Sequence, residues 1–273
     1  TDLEAVALHR VALPDFQQGR RIAAAIAPSA RARRHDPSGA RDLRRSLGVP
    51  RDVDLIVFAS RMQAAMMPNF DEAVAAEDWP RALAVLDETL AASLDAIGPF
   101  GRLARERNLI PLRVLVLTRL GRLDEAAAAI APLPPDCYLC LRARGQLAAA
   151  RGDMASANRW FAQALRQSPD LPQAELEWGR ILLDRGEADA ALAKARAAAR
   201  KGPHWADPAE LTGEALLRQG DFAGAAAAFR QADPFAPHWG RNHLRWGEAL
   251  ARQGDGDGAR DQFLAARNFD LDA

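Results

Sequence analysis

The stretch GEALLRQGDFAGAAAAFRQADPFAPHWG, Gly213 to Gly240, decides the fold, because its landmarks recur at a fixed distance on both sides. Its first glycine has counterparts at Gly145, Gly179 and Gly247, and its second, Gly220, at Gly152, Gly186 and Gly254, both on a period of 34 residues. Ala225 repeats as Ala157, Ala191 and Ala259, Phe229 as Phe161, Ala195 and Phe263, and Ala232 as Ala164, Ala198 and Ala266. Pro237 repeats as Pro169 and Pro203, with Leu271 in the last copy, and the tripeptide PHW stands at both 203–205 and 237–239. A period in this range marks stacked units, each burying its apolar face against its neighbours.

Each column has a physical reason. The second glycine, in ARGD, DRGE, RQGD and RQGD, suits the left-handed position that closes a helix without a steric penalty. Asp153, Asp221 and Asp255 follow it as caps for the next helix, with Glu187 a weaker substitute. The first glycine falls inside a helix, where it costs roughly 1 kcal/mol against alanine. Close approach of two helix backbones offsets that cost, with Phe161, Phe229 and Phe263 filling the adjoining space. The proline column ends the second helix, and Trp205 and Trp239 stand where an apolar residue can staple the entry to the next one.

On these columns, residues 138–273 resemble four consecutive tetratricopeptide repeats, at 138–171, 172–205, 206–239 and 240–273. The resemblance implies an all-α protein, a right-handed α-solenoid of antiparallel helix pairs. One departure is that Leu141, Glu175, Ala209 and His243 stand where the family places a bulky aromatic, while Trp178 and Trp246 follow three residues later. Upstream the pattern fades. Residues 107–136 read as a shortened repeat, and residues 62–97, with Ala82, Leu83, Leu86 and Leu90 on one face, as a degenerate pair, so that 61–136 form a region of weakened repeats. Residues 1–60 read as an irregular, basic, mostly helical region, in which Val53–Ser60 is expected to be helical rather than a buried strand.

Composition narrows the function classes. The 36 basic and 36 acidic side chains cancel, leaving no global attraction to nucleic acid or anionic membrane. The one basic region is 17–51, where nine arginines face two aspartates; it could meet an acidic partner or a phosphate backbone, but it lacks interleaved aromatics for base stacking. No apolar run spans a bilayer. Alanine and arginine bias points to a bacterial protein. No leader is recognisable, and the start assigns no compartment: the cytoplasm is slightly favoured, and the periplasm stays open to a chain whose leader has been removed.

Few residues suggest chemistry. Cys137 and Cys140 form a lone CxxC at an expected helix start, and without further ligands or an alternating strand and helix context they read as structural thiols, with redox or metal sensing as an alternative. His204 and His238, a whole repeat apart, cannot share a metal, since neighbouring helices stand roughly 8 to 10 Å apart. GDGDG at 254–258 lacks the remaining ligands of a calcium loop and reads as a turn. No nucleophile elbow, phosphate loop or paired-histidine zinc motif appears, so neither catalysis nor a cofactor is expected.

Binding is therefore the expected activity, to a peptide or protein segment along the concave side of the solenoid, in a module of a larger bacterial regulatory or assembly protein. The resemblance places Arg142, Gln146, Gln173, Leu176, Arg180, Asp207, Glu210, Glu214, Arg218, Arg241, Arg245, Glu248 and Arg252 on that side. The set lacks the lysine and asparagine pattern by which some members of the family it resembles clamp a C-terminal carboxylate. It reads instead as charge-zoned, acidic at Asp207, Glu210 and Glu214 and basic at Arg241, Arg245 and Arg252. The last unit carries Phe263, Ala266 and Phe269 without a polar cap after them. Either a cap that followed has been lost, or Phe269 folds back over that end, or two chains pair there to form a homodimer.

Overall fold

The computed structural model describes Met67, residues 69–91 and residues 99–269. The arginine-rich segment 17–51 and the expected helix at 53–60 lie outside the described residues. Every regular element among the described residues is helical. In order they are α1 (Phe70–Ala75), α2 (Trp79–Ala91), α3 (Pro99–Ala104), α4 (Ile110–Arg119), α5 (Leu123–Ile130), α6 (Tyr138–Ala150) and α7 (Met154–Gln167), then α8 (Gln173–Asp184), α9 (Ala188–Lys201), α10 (Ala206–Gln219), α11 (Phe222–Ala232), α12 (Gly240–Gln253) and α13 (Gly256–Asn268). From α6 onward the helices pack as successive antiparallel pairs, and α7, α9 and α11 are each covered by the first helix of the next pair. The protein is an all-α solenoid.

The column residues act as their positions require. Gly152, Gly186, Gly220 and Gly254 all have φ between 81° and 93°, which ends each first helix in the left-handed region. One side-chain oxygen of Asp153, Asp221 and Asp255 accepts from the backbone N–H of Ser156, Gly224 and Gly258 respectively, at 2.9 Å in each case. Glu187 makes no such cap; its carboxylate accepts from Arg185 Nε at 3.1 Å instead. At the crowded column, a Cβ on Gly145, Gly213 or Gly247 would stand 2.6 to 2.8 Å from the ring of Phe161, Phe229 or Phe263. Where the aromatic column holds Ala195, Leu211 of the next pair moves in over Gly179 instead. The third pair breaks the period once. Pro234 cannot donate to the α-helical ladder, so α11 stops at Ala232 and the chain turns through a short 3-10 segment, Asp233–Phe235.

Nearer the N-terminus the packing is less regular. Pro111 lacks the N–H that would bond the carbonyl of Arg107, and the chain between α3 and α4 widens there into a π-helical turn, Arg105–Leu109. Cys137 and Cys140 lie against that turn, their sulfurs 3.6 and 3.7 Å from the carbonyl oxygens of Arg107 and Glu106. The two cysteines were expected as thiols; they are joined in a disulfide, which positions three apart at a helix start permit because the Cα atoms come within 5.0 Å. Arg144 fastens the turn between α5 and α6, donating to the carbonyls of Ile130, Leu133 and Pro134 at 2.8 to 3.1 Å.

At the far end Phe269 folds back, but onto its own pair. Its ring lies between those of His238 and His243, at 4.8 and 5.5 Å, and its carbonyl sits where a Cβ on Gly240 would be. Phe263 and Leu264 each remain 40% exposed.

Candidate functional site

The first helices α4, α6, α8, α10 and α12 each pack against the next in that order, and the two ends of the row differ. At the N-terminal half lies a cleft of about 220 Å³. Its floor is apolar, built by Phe70 and Val74 of α1, Trp79 of α2, Leu112 and Leu115 of α4 and Leu139 of α6. Arg119, Arg142, Gln146 and Glu177 stand among its lining residues. The Arg119 guanidinium lies 5.8 Å from the Trp79 ring centre, a cation–π placement that fixes one wall.

Arg142 and Glu177 form a two-pronged ion pair between α6 and α8, with Nε 2.8 Å from Oε2 and Nη2 bonded to Oε1. The guanidinium is 5.4 Å from the Tyr138 ring. Burial alone would favour loss of its proton, but the charge of Glu177 and its hydrogen bonds outweigh that and hold the group charged. A buried charge satisfied in this way is rigid, so the rim of the cleft is set before any partner arrives.

The C-terminal half is a ladder of ion pairs. Arg180 of α8 reaches Asp207 at 3.2 Å and Glu210 at 3.4 Å on α10; Arg241 of α12 reaches Glu210 at 3.3 Å and Glu214 at 2.8 Å. Arg245 continues it to Glu214 at 3.5 Å and Glu248 at 2.9 Å. The acidic and basic zones read from the sequence are thus joined to each other across three pairs of helices. Glu210 is the buried centre, 1% exposed, and burial pushes its carboxyl up to about 7, with Glu214 and Asp207 reinforcing the shift against Arg180 and Arg241. Glu214 moves the other way: burial would raise it, but the hydrogen bond and charge of Arg241 prevail and keep it ionised.

The structure gathers Arg142 and Gln146 at the cleft and Arg180, Asp207, Glu210, Glu214, Arg241, Arg245 and Glu248 in the ladder. Gln173 and Leu176 are buried, the latter in the core beside Leu182 and Leu211. Arg218 and Arg252 are exposed, Arg252 standing 5.9 Å from the Phe222 ring. Glu177 was missed, although it shares a column with Arg245. The cleft floor was also missed, because α1, α2 and α4 lie where the period has faded.

Both cysteine sulfurs are fully buried under the π-helical turn. Among the described residues no group of three or more His, Cys, Asp or Glu side chains could hold a metal ion, and no helix is long and apolar enough to cross a membrane.

Residues 176–238 match the tetratricopeptide repeat family. That part of the array is built of tetratricopeptide repeats. Two solved structures show the same fold. One is PilF of Pseudomonas aeruginosa, at a TM-score of 0.54 and 14% identity over 60% of this chain and 76% of that one. The other is MamA, residues 41 to the end, of Desulfovibrio magneticus RS-1, at 0.50 and 21% over 60% and 94%. No curated protein matches the chain. At these identities the likeness is one of fold, and a tetratricopeptide array is a scaffold for protein–protein interaction.

Proposed function

We propose that the face formed by the first helices is the concave binding surface of the array, and that it takes an extended segment of a partner protein without catalysing any reaction on it. One large apolar side chain of that segment seats in the cleft between α1, α2, α4, α6 and α8. The carrying observation is the cleft itself: a floor of aromatic and aliphatic side chains under a rim fixed by the Arg142–Glu177 pair. Its 220 Å³ is below the roughly 300 Å³ and more of sites for drug-sized molecules, and fits one side chain. Gln146, half-exposed at the rim, supplies amide groups able to hold a passing backbone. The ladder from Arg180 to Glu248 has its charges already paired, which supports a role in fixing the geometry between repeats and leaves the cleft as the anchor point. Such anchors carry most of an interface's energy.

The test is to close the cleft from its rim. Gln146→Trp is expected to abolish the capture of partners that the wild-type bait shows, with unfolding unchanged, whereas Gln163→Trp on α7 leaves capture intact. Equal capture by both variants would contradict the reading.

A further inference from the structure

We propose that Cys137 and Cys140 are a reversible thiol–disulfide switch that governs how firmly the π-helical turn Arg105–Leu109 is held against α6. The disulfide joins the cap of α6 to that helix's own first turn, so it ties α6 to nothing else. Over the two sulfurs lies the π-helical turn, with the Arg107 carbonyl oxygen 3.6 Å from Cys137 Sγ and that of Glu106 3.7 Å from Cys140 Sγ. A disulfide sulfur carries no proton, so these contacts set acceptor against acceptor. A thiol in the same place donates, and both oxygens are within reach of an S–H group.

The two carbonyls concerned are those that Pro111 deprives of a helical donor. Pro111 stands four residues after Arg107 and five after Glu106, the positions from which an α-helical and a π-helical N–H respectively would reach them, and proline has none. Ile110, the α-helical alternative for Glu106, gives its N–H to the Arg105 carbonyl. Two carbonyls short of a ladder donor thus face two sulfurs that carry protons only when reduced. Reduction moves the constraint from within α6 to the contact between α6 and the turn. The ion pair of Arg107 Nη2 with Asp136 Oδ1 at 3.0 Å does not depend on oxidation state, so the turn stays over the sulfurs and only its grip changes. Leu139, between the cysteines, and Asn108, within the turn, both line the cleft between α1, α2, α4, α6 and α8. The switch therefore sets one wall of that cleft, a consequence that rests on the cleft being the binding site.

The reductant is a dithiol. One of its thiolates attacks a cysteine sulfur and breaks the S–S bond, giving a mixed disulfide, and its second thiolate displaces that cysteine. Two electrons and two protons pass to Cys137 and Cys140, and the reductant leaves as its own disulfide. A small disulfide compound reverses the exchange. Both sulfurs are buried, so each exchange waits for the turn to lift.

The test is hydrogen exchange of the full chain, read by mass spectrometry on peptides covering residues 105–112 relative to peptides of α12. The chain is held as the disulfide by oxidised glutathione and as the dithiol by dithiothreitol, and thiol alkylation verifies each state. Exchange of the turn is expected to be about tenfold slower in the dithiol, the factor that two weak hydrogen bonds supply. Cys137→Ser/Cys140→Ser keeps both donors without a bridge and is expected to match the dithiol under either reagent. Cys137→Ala/Cys140→Ala, with neither, is expected to exchange as fast as the disulfide form. Equal exchange in the two forms of the wild type overturns the proposal, as do slow exchange in the alanine variant and a pair that oxidised glutathione cannot join. The readout needs no partner, so its failure is distinct from that of the cleft, which Gln146→Trp tests.

Discussion

The ring of Phe229 lies so close over Gly213 that a Cβ on the glycine would stand 2.6 Å from it. Gly213→Ala gains roughly 1 kcal/mol of helix propensity but forces a fully buried ring aside, an overpacking cost of about 1 to 3 kcal/mol. A net loss of stability is expected in urea unfolding. In a Phe229→Leu background, where the ring is gone, the same change is expected to be neutral or stabilising. Loss of equal size in both backgrounds would show that the glycine serves something other than this contact.

Glu210 makes stability depend on pH in a defined direction. Its folded carboxyl titrates at about 7, above the roughly 4.3 of a free glutamate. Between those values the folded chain holds a proton that the unfolded chain has lost. Its contribution is full below about pH 4.3 and is lost as the pH rises through 7. Urea midpoints of the wild type relative to Glu210→Gln are therefore expected to fall from pH 5 to pH 8. Arg180, Arg241, Asp207 and Glu214 face the carboxyl in both proteins; Glu214 shares a hydrogen bond with Glu210, so the difference read is that of the Glu210–Glu214 pair.

Cys137 has two structural functions that substitution can separate. Its sulfur is bonded to Cys140, and it also accepts from the Cys140 backbone N–H at 3.2 Å as the cap of α6. Cys137→Ser and Cys137→Ala both remove the disulfide, but only serine restores a capping acceptor, a contribution of about 1 kcal/mol. Calorimetry is expected to place Cys137→Ala below Cys137→Ser by that amount, and equal melting would show that the cap contributes nothing.

The period made half of the molecule legible. Gly220 and Asp221 announce their left-handed turn and cap from sequence alone, because both depend on backbone geometry that only those residue types satisfy. The pairing of Arg241 with Glu210 and Glu214 was not legible, since a column identifies a face but not which side chain on the next helix lies within reach. Nor was the cleft floor, where Phe70, Trp79 and Leu112 come from helices without the repeat's register. The turn at Asp233–Phe235 had a readable cause in Pro234, and the π-helical turn had one in Pro111. The disulfide was hidden by a spacing that serves thiols, metals and bridges alike.

The binding surface is tested most directly by photo-crosslinking. A photoreactive residue is placed at Gln146, at the rim of the cleft, or at Gln163 on α7, whose side chain reaches the Pro135 carbonyl instead. After capture of partners, mass spectrometry identifies the segments joined to each position. Position 146 is expected to capture one recurrent partner segment containing a large apolar residue, and position 163 to yield none in common. Crosslinks at 163 that match those at 146, or none at 146 while partners remain bound, would contradict the account.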